Sequence, residues 1–251
     1  MSSATAFVAS FISVLIGAAI GVILKRSLQA ALLDTGSREA IRLAAGFLAT
    51  LAALVIGLMI ASAKTSYDSQ NTNIRQLGTN AVLVDQMLTK YGPEARGART
   101  LLRETIPSAA ARIWRENSGK AAGASFIVSE TGERFYKAVE GLKPANAEQT
   151  SLKSRIIQIT TEMGRTRLLV FTEGDDAIPT PFFIVLVFWL VVIFASFGLF
   201  AEPGPIFIAS TVVFALSVSS ALFLIVDLSH PFSGLMQITN NHLHMVLPKI
   251  E

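Results

Sequence analysis

A chain of 251 residues of which 51% are apolar, with a mean hydropathy of +0.53, is too hydrophobic for an ordinary soluble domain and points to an integral membrane protein. Its formal charge is only +3, and its arginines alternate with glutamates instead of forming a block, which excludes nucleic acid as the expected partner. The absence of cysteine excludes disulfides and thiolate metal sites, and leaves the compartment open.

The first predicted element is the uncharged run Ala6 to Leu24, closed by Lys25 and Arg26 and carrying Gly17 and Gly21 as a small-xxx-small pair. It lacks a basic leader and a small-residue cleavage site, so it reads as a retained anchor and not as a cleaved secretory signal. A polar link with an Asp34-Thr35-Gly36-Ser37 turn leads to a second uncharged run, Leu43 to Ala63. Residues 1–63 are therefore expected to form a transmembrane hairpin with spans at 6–24 and 43–63. On the second span Gly46, Thr50, Ala53, Gly57 and Ala61 recur at helical spacing, so very small side chains share one face. These five are candidates for close helix packing or for lining a pore.

Past Lys64 the composition turns polar, yet Ile74, Leu77, Ala81, Val84, Leu88 and Tyr91 alternate in steps of three and four, a coiled-coil-like seam. The region from Ile41 to Tyr91 holds no proline, and reads as one helix or as two with a bend near Gly78. Lys64 and Asp68, four apart where the helix leaves the bilayer, fit an exposed ion pair. Gly92 and Pro93 punctuate the chain, a weaker helical face follows until Pro107, and Ile113 and Trp114 close another short piece. Residues 116–124 read as a loop, and Phe135, Tyr136, Val139 and Leu142 suggest a brief amphipathic helix. Asn146 and Gln149 have the form of a capping box. The helix it opens carries Leu152, Ile156, Ile159, Met163, Thr166 and Val170, a second seam whose natural partner is the first. Residues 64–178 are thus expected to be an extramembrane helical bundle.

Pro179 and Pro181 introduce the uncharged run Phe182 to Ala201, the Glu202-Pro203-Gly204-Pro205 turn reverses the chain, and Ile206 to Val226 forms a fourth span ended by Asp227. A second hairpin occupies 179–228, with spans at 182–201 and 206–226, and a C-terminal tail follows over 229–251. The fold class is all-α: four transmembrane helices in two hairpins, with a helical bundle between spans two and three. Four spans put residues 64–178 and both termini on one side. Lys25, Arg26 and Arg42 favour a cytoplasmic first link, which sends the bundle outward, while Lys64, Arg75, Arg165 and Arg167 argue the reverse.

Candidate polar groups are few. Ser210, Ser217 and Ser220 keep to one face of span four, with Thr211 and Ser219 nearby, and suit hydrogen bonds across the bundle or a wet pathway. Glu173, Asp175 and Asp176 suit a helix N-terminus or an acidic pore mouth. Asp227 and His230 at the end of span four suit an interfacial anchor or a pH sensor. His242 and His244 lack a third ligand nearby, so a solvated tail is the plainer reading and no metal site is assigned. There is no Gly-rich phosphate loop ending in lysine, no His-Glu-x-x-His and no nucleophile elbow, so neither an enzyme nor a cofactor is expected. No predicted span carries a charge, which argues against a proton-coupled pump.

Several longer stretches resemble a known family. Ala61-Ser62-Ala63-Lys64-Thr65-Ser66-Tyr67-Asp68, Lys90-Tyr91-Gly92-Pro93-Glu94, Phe188-Trp189-Leu190, Phe194 to Phe200 and Pro231-Phe232-Ser233-Gly234 together resemble the bacterial bestrophin-like family of unknown function, over nearly the whole chain. The name points on to bestrophins, anion channels with four spans per subunit that assemble as pentamers around one pore. The resemblance therefore implies a homo-oligomer in a bacterial plasma membrane, with the lipid bilayer, further copies of the chain and ions as partners. Bestrophins carry an acidic run after a Pro-Phe-Gly segment that helps build a calcium site, whereas Pro231-Phe232-Ser233-Gly234 is followed here by Leu235-Met236-Gln237, so calcium gating is not implied. Bestrophin pores are constricted by aromatic and branched residues, where the second span here offers small residues and Phe47. Their large insertion is cytosolic, opposite to the side that Lys25, Arg26 and Arg42 favour. Two functions follow as expectations: an oligomeric ion channel with the second span near its axis, or a non-conducting scaffold or sensor whose bundle binds another protein.

Overall fold

The structure, a computed structural model, describes residues 2–27, 35–115, 130–172 and 180–238. Seven α-helices are found among them, with no strand: α1 (Ser3–Ser27), α2 (Thr35–Tyr91), α3 (Arg96–Arg115), α4 (Glu130–Glu140), α5 (Ala147–Thr172), α6 (Thr180–Phe200) and α7 (Pro205–Leu228), with a short 3-10 turn at Pro93–Ala95. Four of them, α1, α2, α6 and α7, are long and apolar enough to cross a membrane, as the uncharged runs predict. The chain divides into two compact units, Met1–Thr65 with Ala177–Ser229, and Ser66–Asp176 with His230–Glu251.

In the membrane unit α1 and α6 run parallel and close. The α-carbon of Gly17 faces the backbone of Val191, that of Gly21 faces Ala195 and Leu199, and that of Gly198 faces Ala18 and Val22. Only side chains this small permit such an approach, and in lipid, where apolar surface gains little by association, close backbone packing is what holds helices together. At the end of this crossing Lys25 Nζ donates to the Ala201 carbonyl at 2.7 Å, satisfying an acceptor that the end of α6 leaves unpaired. Helix α7 packs on α1 as well, with Phe7 and Phe223 edge to face at 6.4 Å. The core gathers Val14 and Ala18 of α1, Ala52 and Met59 of α2, Leu186 to Phe194 of α6, and Ala215, Leu222 and Ile225 of α7. Val8, Ile12, Ile16 and Ile20, at steps of four, are exposed on α1, as expected of a lipid-facing stripe.

The second unit is built on the later part of α2. That helix runs without interruption from Thr35 to Tyr91, so there is no break at Gly78, and it starts before the second apolar run because Arg38, Glu39, Ala40 and Arg42 are adequate helix formers. Every residue of its seam, Ile74, Leu77, Ala81, Val84, Leu88 and Tyr91, is buried. Ala81 to Tyr91 share a core with Ile156 and Ile159 of α5, Leu102 and Ile106 of α3, and Phe135 and Val139 of α4. The two seams therefore meet, as their matching periods predict. Gly92 adopts φ +119°, a conformation that glycine alone takes readily, and the Pro93–Ala95 turn follows. Asn146 Oδ1 accepts from the Gln149 N–H at 2.8 Å, and Gln149 Oε1 reaches back to the Ala145 N–H at 2.7 Å, one residue before the position a capping box prescribes. The Gln149 Nε2 donates to the Tyr91 carbonyl at 2.9 Å, tying the end of α2 to the start of α5.

Two expectations change. Pro107 does not interrupt the chain but lies inside α3. Ile106, Ala110 and Ile113 around it are all buried, and this packing outweighs the hydrogen bond that proline removes. The segment from His230 to Ile238, expected as part of a tail, belongs to the second unit, where Phe232 and Ile238 pack with Ile74, Leu77, Ala110, Ile113 and Val170. Two apolar side chains at 3% exposure each account for the anchoring.

Candidate functional site

The small face of α2 is the first candidate. Gly46, Thr50, Ala53, Gly57 and Ala61 are all exposed, and a β-carbon added at Gly46 or Gly57 would meet nothing within 4 Å. The helix turns a different side inward: Ala45, Ala52, Met59 and Ala63 are buried. A neighbouring exposed stripe of Leu43, Phe47, Leu54 and Leu58, 67–71% accessible, lies roughly 70° around the helix at 100° per residue. Bulky side chains thus occupy one part of the exposed arc and minimal ones the other. Thr50 Oγ1 donates to the Phe47 carbonyl at 2.7 Å, leaving its oxygen as an acceptor on that face.

Span four places its hydroxyls differently from the expected cross-bundle bonding. Ser210, Ser217 and Ser220 bond to carbonyls of their own helix, those of Phe207, Val213 and Leu216, at 2.8–3.0 Å, and the last two serines are exposed. The buried hydroxyls of that helix are Thr211 and Ser219 instead. Ser219 Oγ, like Ser10 Oγ on α1, has no hydrogen-bond partner among the described residues. Asp227 is 2% exposed in the last turn of α7, and His230 lies three residues on at the surface. Glu173, Asp175 and Asp176 lie outside the described residues, as do His242 and His244. Among the described residues no group of three metal-ligating side chains is found.

The second unit holds polar chemistry that sequence periodicity does not announce. Asp85, on α2, receives both Arg99 (Nε at 2.8 Å, Nη2 at 3.1 Å) and Arg103 (Nε at 3.3 Å, Nη2 at 3.2 Å) from α3. Burial pushes the Asp85 carboxyl upward, but the two guanidinium groups outweigh it and hold the group below its ordinary value. The same contact raises Arg99. Burial, seconded by the charge of Glu94, raises the Tyr91 phenol. The signal that would have found the cluster is one acid on the polar flank of a seam followed by two arginines four apart, a pattern too common in helices to single out. The same unit holds an apolar cavity of about 720 Å³ lined by α2, α3, α4 and α5, among them Leu77, Leu102, Ile106, Phe135 and Met163, with Arg165 and Arg167 on its wall. Arg167 stacks its guanidinium over Phe171, 5.7 Å from the ring centre.

Chemically, none of these arrangements pairs a nucleophile with a base or gathers carboxylates for acid–base work. What the geometry offers is an exposed small-residue helix face, a closely packed core in the first unit and a folded helical second unit. Comparison with curated proteins and with solved structures gave no match. A family described as Bestrophin-like, through its Bestrophin-like domain, matches residues 8–243, which takes in the four apolar helices and the helical unit alike, and the chain belongs to that family.

Proposed function

We propose that the chain is one subunit of an oligomeric ion channel of a bacterial plasma membrane, with the Gly46 to Ala61 face of α2 turned toward a shared axis. The observation that carries this reading is the exposure of that face: five small residues in register, unused by the subunit's own packing, beside a stripe of leucine and phenylalanine suited to lipid. Membership of the bestrophin-like family supports anions as the cargo, by the family's likeness to anion channels. The alternative, a non-conducting scaffold or sensor, rests on the two seams, most of whose residues pack into the apolar cores of the chain, so the exposed small face of α2 supports the channel reading more directly.

Purified protein in liposomes is expected to dissipate a chloride gradient, and Thr50→Val to change the rate by removing a hydroxyl from the path. Absence of flux for chloride and for potassium alike, at either polarity, overturns the channel reading.

A further inference from the structure

At the end of the membrane unit where α2 begins, α6 ends and α7 starts, a cleft of about 520 Å³ opens between the three helices. That volume falls in the range, about 300–1,000 Å³, of sites that enclose small ligands. Its walls are aromatic, with Phe194, Phe197 and Phe200 from α6 and Phe207 and Phe214 from α7, and it reaches Gly46, beside which there is empty space. Phe197 and Phe214 are 51% and 59% exposed, so the cleft is open on the side of α6 and α7, away from the Gly57 to Ala61 part of the small face. One charged side chain lines it: Arg42, whose guanidinium carbon stands 5.2 Å from the centre of the Phe200 ring. Stacking engages the face of a guanidinium and leaves its N–H edge directed outward, the arrangement that receives an oxyanion.

The position of Arg42 fixes the depth. It is the last charge before the apolar run of α2, so it stands at the boundary of the hydrocarbon while the rings below it face acyl chains. Lys25 reaches the same mouth, since its ammonium bonds the carbonyl of Ala201, itself a lining residue. Around this end lie Lys25, Arg26, Arg38 and Arg42 against Glu39 and Glu202 among the described residues. A second copy presenting this same end would bring the same excess of cations, whereas an anionic headgroup complements it.

We propose that this cleft is a binding site for one anionic phospholipid, an acyl chain lying among the phenylalanine rings and the phosphodiester held by Arg42 with Lys25. The test uses the full chain with Phe214→Trp as reporter and Trp189→Phe to clear the membrane unit of other indole. It is placed in phosphatidylcholine vesicles that contain a minor fraction of either phosphatidylglycerol or phosphatidylcholine brominated on the acyl chain. Brominated phosphatidylglycerol is expected to quench at a mole fraction roughly fivefold lower than brominated phosphatidylcholine, the worth of about one cation beside an anionic lipid. Arg42→Gln is expected to abolish the preference and Arg42→Lys to retain part of it. Equal quenching by the two lipids means ordinary bilayer contact, and quenching by neither means that a second copy covers the cleft; either result overturns the proposal. So does a preference that survives in Arg42→Gln.

Discussion

The Asp85 carboxylate sits between two guanidinium groups with 9% of its side chain exposed, so its charge depends on them. Its folded-state pKa lies below the ordinary value, which makes the sign of the pH effect definite: the contribution is complete above about pH 4, where the unfolded carboxyl is ionised, and is lost as pH falls through the native value. Asp85→Asn is therefore expected to lower the thermal midpoint of the protein in detergent at pH 7, with the gap to wild type narrowing below about pH 4. Removing one partner of a buried pair costs about 3 kcal/mol, because two arginines then stand in the unit without their acid. A gap that is the same at both pH values would show that the ionised pair is not the source of the stability.

The α1–α6 crossing is where single atoms matter at the scale of an element. A β-carbon at Gly17 would stand 2.6 Å from the Val191 carbonyl oxygen, and one at Gly21 would collide with the Ala195 carbonyl, backbone in both cases and unable to swing aside. Gly46, on α2, meets no such obstacle. Gly21→Ala should thus cost about 1–3 kcal/mol by overpacking, read as a lower midpoint of thermal unfolding in detergent, while Gly46→Ala, which meets no neighbour in its own chain and gains helix propensity, should not lower the midpoint. Equal effects at the two sites would mean that α1 and α6 do not approach as closely as described. The Gly17/Gly21 pair is visible in the chain as a small-xxx-small motif, but its target is not. Gly198 completes the contact from the other helix, and only the register of α6 against α1 identifies it.

At the scale of the whole molecule, the proposal turns on the same property of Gly57 that makes it easy to mutate. Since nothing in its own subunit lies within 4 Å of an added β-carbon, Gly57→Leu should leave the subunit folded and act on assembly alone. We expect it to reduce the cross-linked oligomer and to shift elution toward smaller species, by about 1–3 kcal/mol per contact overpacked. Leu58→Ala, one residue away on the lipid-suited stripe, should elute and cross-link as wild type does. If instead the leucine variant assembles normally and the alanine variant does not, the bulky stripe is the interface.

The chain by itself determined the number and position of the apolar helices, because an uncharged run long enough for the bilayer has few other uses, and it determined the pairing of the two seams, because matched steps of three and four leave each helix one apolar face to bury. Helix starts followed from Asn146 with Gln149 and from Gly92 with Pro93, all of them local chemistry. The helical course through Pro107 was decided by tertiary packing, since buried neighbours outweigh the local cost of proline. Tertiary structure likewise decided which hydroxyls of span four are buried, which arginines find Asp85, and that Phe232 and Ile238 close a core far from them in sequence. Above all it decided that the small face of α2 is left exposed while the small residues of α1 are spent in packing against α6. Both stripes are built from small residues, and only the arrangement of neighbouring helices determines which one is covered.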